Sequence, residues 1–241
     1  IMKRFFCLFL TTIFIISCAS EKALVFSESN MLFDEHAIIE INIPVAESDT
    51  ELAKKINFTI ENHIANMLNF AEDYSETLQL KEAIKNFDNN YKAFKDDFEE
   101  SNLVWEATFD GEVTYNSDTI ISLAISNYSN TGGAHGNTNV TFFNFDKATG
   151  NQVTIKSMLT DMESFKKLAE KHFKESLIFE ENYSYEDYFF GDGFQLPANY
   201  GFNDEGLILF YNTYEIAPYA MGITEFTIPF DELDEFLKIT L

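Results

Sequence analysis

Leu103-Val104-Trp105-Glu106-Ala107-Thr108-Phe109 and Ile121-Ser122-Leu123-Ala124-Ile125 decide the fold class. Leu103, Trp105, Ala107 and Phe109 occupy every second position, and so do Ile121, Leu123 and Ile125. Side chains of a strand alternate between faces, so this period of two marks strands with one buried side. Asn116-Ser117-Asp118 between them is turn chemistry, and the pair reads as a hairpin or meander. Downstream, Thr131-Gly132-Gly133-Ala134-His135-Gly136-Asn137 interrupts the strand character, which Val140, Phe142 and Phe145 resume before a turn at Asp146-Lys147-Ala148-Thr149-Gly150. The glycines at 132, 133 and 136 call for positive φ or for close approach of another chain segment.

On the N-terminal side, Ile39, Ile41 and Ile43 predict a strand stopped by Pro44. Leu52, Ile56, Ile60, Ile64 and Met67 then recur at helical spacing, with Ser48 or Asp49 placed to cap. Leu80, Ile84, Phe87, Tyr91, Phe94 and Phe98 predict a second amphipathic helix ending in the acidic residues 96–100. On the C-terminal side, Thr160-Asp161-Met162-Glu163 is a capping-box sequence before a helix with Phe165, Leu168, Ala169, His172 and Phe173 on one face. Residues 183–194 read as an aromatic, acidic surface loop. Strand character returns at 207–211 and 225–228, and a short helix is expected near Asp231. The expected class is α+β: a mainly antiparallel sheet with two long N-terminal helices and one later helix packed on it.

The N-terminus has the three parts of a secretory signal: Lys3 and Arg4, an apolar stretch at 5–16, and a cleavage region. Ile15-Ile16-Ser17-Cys18 is the aliphatic, aliphatic, small, cysteine pattern of a bacterial lipobox. The expectation is a signal peptide at 1–17, a lipidated tether at 18–35 beginning with Cys18, and a lipid-anchored protein outside the cytoplasm. Ala19 gives no inner-membrane retention signal, which favours the outer membrane where one exists. A plain secretory signal with an incidental Cys18 is the competing reading.

Cys7 lies within the apolar stretch, leaving Cys18 as the one cysteine after cleavage, so neither a disulfide nor a thiolate metal site is expected. The formal charge is −24, and loss of Lys3 and Arg4 takes −24 to −26. Nucleic acid and anionic lipid are poor partners for that field, whereas cationic proteins are favoured.

Three segments resemble a known set as a group: Gly132-Gly133-Ala134-His135-Gly136-Asn137; Phe143-Asn144-Phe145-Asp146 leading to Thr149-Gly150; and Tyr211-Asn212-Thr213-Tyr214-Glu215-Ile216-Ala217-Pro218-Tyr219-Ala220-Met221-Gly222 followed by Phe226-Thr227-Ile228-Pro229. They resemble domain of unknown function 3298, the RsiV-type C-terminal domain, preceded by a domain similar to the N-terminal region of PdaC (domain of unknown function 4163). The resemblance implies a PdaC-like domain at 36–150 and an RsiV-type domain at 151–241. It also implies an exported or membrane-tethered envelope protein, and in RsiV this region binds lysozyme without catalysis. The chain departs from RsiV in having no cytoplasmic sigma-binding segment, and from PdaC in having no polysaccharide deacetylase domain.

His135, in a glycine-rich loop, is sterically accessible to a ligand, although a loop histidine that bonds neighbouring backbone explains it as well. Tyr211, Tyr214 and Tyr219 with Glu215 combine rings and a carboxylate that could stack on a sugar or grip a basic side chain, and core packing accounts for them equally. Thr108-Phe109-Asp110-Gly111 echoes a glycan deacetylase motif, but the second Asp and a histidine pair at ligand spacing are missing. No catalytic residue, metal or cofactor is assigned. The expected function is a non-catalytic envelope lipoprotein that binds a lysozyme-like cationic protein or peptidoglycan. The alternative is a glycan-modifying enzyme, or its accessory domain, centred on His135 and Glu215.

Overall fold

The computed structural model describes residues 24–70, 73–177 and 183–238. Cys18 and the predicted signal lie outside the described residues. The fold is α+β, with a five-stranded, mostly antiparallel sheet and a second sheet of three strands.

The first sheet runs β1 (Phe26–Phe33), β2 (Ile38–Ala46), β3 (Glu106–Asn116), β4 (Ile120–Asn130) and β5 (Asn137–Asp146), in that order. Only β2 and β3 are parallel, because α1 (Glu51–Met67) and α2 (Leu80–Asp97) form the crossover between them. Ile39, Ile41, Ala107, Phe109, Ile121, Leu123, Ile125, Phe143 and Phe145 all point to one face. There they meet Ile56, Ile60 and Ile64 of α1 and Ile84, Phe87 and Tyr91 of α2. The period of two on the strands and of 3.6 on the helices thus converge on one core.

Three local expectations change in the N-terminal half. Residues 26–33, expected within a tether, form the edge strand β1, paired along its length with β2. Its residues are half-buried or exposed, so the sequence carries too little apolar alternation to mark it. Pro44 does not stop β2. The Ile38 N–H donates to Trp105 O, so every second N–H from Ile38 points toward β3. The parallel ladder has already ended at Asn42 opposite Asp110, and the N–H that Pro44 lacks is not needed there. The cap of α1 is Thr50, whose hydroxyl accepts from Ala53 N–H, while Ser48 bonds Thr50.

After α3 (Ile155–Met158), the helix α4 (Met162–Ser176) begins at Asp161, which accepts from the N–H groups of Glu163 and Ser164. The second sheet, β6 (Asn199–Phe202), β7 (Gly206–Tyr211) and β8 (Thr224–Pro229), shares a core with α4 and with α5 (Phe230–Leu233). Phe173 of α4 is the hub, with the rings of Tyr188, Phe189, Phe194, Tyr211 and Phe226 around it. The segment 183–194, expected as a surface loop, therefore plants three of its aromatic rings in the core and exposes Phe190.

The second sheet docks on the face of β4 and β5 opposite the helices. The Phe202 N–H donates to the buried Ser122 hydroxyl, and the Asn144 amide donates to Tyr200 O. At the free edge of β5 two asparagines replace a strand: Asn212 accepts from Val140 N–H and donates to Val140 O, and Asn199 accepts from Phe142 N–H and also donates to Val140 O. An edge whose polar groups are held this way offers little for another strand to pair with.

Candidate functional site

The loop between β4 and β5 and the turn after β7 meet at the surface. Gly132 sits at φ 105°, a left-handed conformation that a side chain would strain, and it turns the loop. Gly136 lies under the Tyr128 ring, which a Cβ would approach to 2.3 Å. His135 is thereby presented outward. Its Nδ1–H donates to Gly136 O at 2.7 Å, which leaves Nε2 as the ring nitrogen open to a ligand.

Tyr219 follows Pro218 in a single 3-10 turn and stacks on His135, with ring centroids 4.2 Å apart and planes 25° apart. Tyr214 lies 5.4 Å from Tyr219 at 33°. Tyr214 is 57 % and Tyr219 41 % exposed, so the three rings form one open aromatic surface. Tyr214 also adopts φ 69°, unusual for an aromatic residue, and such strain is concentrated where a side chain must be aimed.

The remaining two candidates do different work. Tyr211 is 1 % exposed, donates its hydroxyl to Gln195 O at 2.6 Å and packs against Phe173 and Phe189. Burial pushes its phenol above the ordinary range, with Glu215 adding to the effect. It belongs to the core, because strand alternation turns it inward at the end of β7. Glu215 accepts from Asn212 N–H at 2.9 Å and from Ala198 N–H, and it staples the turn. Burial raises its carboxyl above the usual value against the pull of those two donors. Its polar capacity is directed to backbone, and no bond joins it to His135 among the described residues.

Asp110, from the deacetylase-like fragment, is exposed and accepts from the Asn42 amide at 3.1 Å. Among the described residues no three His, Cys, Asp or Glu side chains are grouped to hold a metal, and no helix is long and apolar enough to cross a membrane. A cavity of about 370 Å³ lies between the two sheets, with Phe142, Phe210, Asp110, Glu112 and Glu225 in its wall. Its residues are scattered from 110 to 225, so no local sequence pattern marks it.

The family described as "Protein of unknown function (DUF3298)" matches residues 147–231, and that described as "Deacetylase PdaC" matches residues 33–138. A DUF3298 domain follows a PdaC-type domain. A DUF3298-family protein of Bacteroides fragilis, of known crystal structure, aligns over 90 % of this chain and 94 % of its own, with a TM-score of 0.71 and 20 % identity. Another, from Pseudomonas aeruginosa, covers 90 % of this chain and 95 % of its own, with a TM-score of 0.59 and 20 % identity. At that identity the likeness establishes the fold. No curated protein matches the chain. His135 lies in the PdaC match, and Tyr214 and Tyr219 in the DUF3298 match, so the ring stack forms where the two domains meet.

Proposed function

We propose that the protein is a non-catalytic binding lipoprotein of the cell envelope, anchored by lipid on Cys18, and that the Tyr214–Tyr219–His135 stack is its contact surface for the glycan of peptidoglycan. The observation that carries this reading is the stack itself: three rings in sequence, open to solvent, at the junction of two domains. Sugar rings present apolar C–H faces between hydroxyls, and a row of aromatic faces with an open His135 Nε2 complements both. Glu215 and His135 each bond nearby backbone, which supports binding over acid–base chemistry.

Pull-down of the purified protein with insoluble peptidoglycan, against cellulose as control, tests the glycan reading; equal retention on both would sink it. Mass spectrometry of the N-terminal peptide tests the anchor, with a diacyl or triacyl Cys18 expected. A second reading, a lysozyme-like cationic protein as partner, is supported by the formal charge of −24. A salt-dependent titration with lysozyme separates it from the first, because glycan stacking is insensitive to salt.

A further inference from the structure

The outer face of the five-stranded sheet carries a trough that the ring stack does not use. Cross-strand rows there run Asp110, Ser126, Val140 and, one pleat further, Glu112, Ala124, Phe142. Each row sets a carboxylate on β3, a small residue on β4 and an apolar one on β5. With strands ~4.8 Å apart, an acidic wall and an apolar wall face each other across roughly 10 Å of low floor. The second sheet adds Phe210 and Glu225, which oppose each other in the β7–β8 ladder. The Phe210 ring lies 5.7 Å from that of Phe142, edge to face. Phe142 is fixed from behind, because its N–H is held by Asn199 and its ring fills the space that Gly201 leaves open.

The trough is open to solvent, and its volume of about 370 Å³ falls within the range of ligand sites, at a domain interface where such sites concentrate. Among the described residues no basic side chain lines it. Asp110 has the Asn42 amide as partner, while Glu112 and Glu225 are exposed and without an ion pair among the described residues. Three carboxylates from two domains thus line the trough beside an aromatic wall, and none of them has an ion pair among the described residues.

We propose that this trough receives a lysine or arginine side chain presented by a cationic protein. The alkyl stem lies on Val140, Phe142 and Phe210, and the charged head reaches Asp110, Glu112 and Glu225. A protein partner is favoured over a free amine because a field of −24 acts on all the charges of a polycation at once. The inference rests on the cationic-partner reading for its ligand class and is independent of the glycan surface.

The test is calorimetric titration of the full chain, in mild detergent at low salt, with acetyl-Gly-Ser-Arg-Ser-Gly-amide and its norleucine analogue. The expected result is saturable binding of the arginine peptide, at least about tenfold weaker for norleucine. E112Q/E225Q is expected to weaken the arginine peptide by about tenfold or more, whereas D96N/E99Q, which removes the same charge from the end of α2, leaves it unchanged. Equal loss in both double variants, no saturable binding, or tighter binding of free putrescine than of the peptide would each overturn the proposal. Because both variants exchange exposed groups, thermal melts matching the parent exclude misfolding as the cause of a loss. Retained peptidoglycan binding beside failed peptide binding would reject the trough and leave the glycan surface standing.

Discussion

The imidazole of His135 and the phenol of Tyr219 stack at 4.2 Å although 84 residues and a domain boundary separate them in the chain. Both rings are exposed, so their contact adds little to the core; an aromatic pair contributes about 1 kcal/mol beyond area burial. Tyr219→Ala is therefore expected to lower stability by no more than about 1 kcal/mol and to weaken peptidoglycan retention by about tenfold. Tyr219→Trp keeps a ring face and is expected to preserve retention. Binding isotherms on insoluble peptidoglycan, read beside denaturant midpoints, check both variants.

Asn212 closes the edge of β5 through both polar backbone atoms of Val140. Asn212→Ala leaves the Val140 N–H without that acceptor, at a cost of about 1–3 kcal/mol, and uncovers a strand edge. The expected outcome is a lower melting temperature together with concentration-dependent association, visible by light scattering. Asn212→Asp, which still accepts from Val140 N–H but places a charge near Val140 O, is expected to fall between the parent and the alanine variant in stability.

Gly201 faces the Phe142 ring so closely that a Cβ would lie 2.0 Å from its Cδ1. Gly201→Ala must push the ring or the second sheet away, and overpacking of this kind costs about 1–3 kcal/mol. Phe142→Leu in the same chain gives the methyl room and is expected to recover part of the loss, as a double-mutant cycle would measure.

The helices and inner strand faces were legible because each repeats one physical period. Ile56, Ile60 and Ile64 mark a helix stripe, and Ile121, Leu123 and Ile125 mark a strand face. The edge strand β1 was hidden because, beside its backbone pairing with β2, only scattered side chains such as Phe26 and Met31 reach the core, too few to show a period of two. Tyr211, Tyr214 and Tyr219 looked alike as a cluster, yet backbone direction sends the first into the core and the others outward. The partnership of Tyr219 with His135 depends on how two domains dock, and the trough depends on the register of three strands. Neither is a property of any local stretch.

The fold opposes protonation of His63 on α1. Its Nε2 is sealed from solvent and has no hydrogen-bond partner among the described residues, and its ring meets Phe143 edge to face at 5.0 Å. Burial pushes its pKa down from 6.5 to about 4. Above pH 6.5 the imidazole is neutral in both the folded and unfolded chain and contributes no pH dependence. As pH falls from 6.5 toward 4 the unfolded chain takes up a proton that the folded protein refuses, so stability declines and the loss levels off below about pH 4. The full effect, reached below about pH 4, is on the order of 3 kcal/mol. His63→Leu removes the titration and retains an apolar contact for Phe143. Denaturant unfolding of both proteins at intervals between pH 7 and pH 4.5 is expected to show a shallower decline for the leucine variant, with the two curves diverging only below about pH 6.5. Parallel curves would mean that His63 is protonated in the folded protein after all.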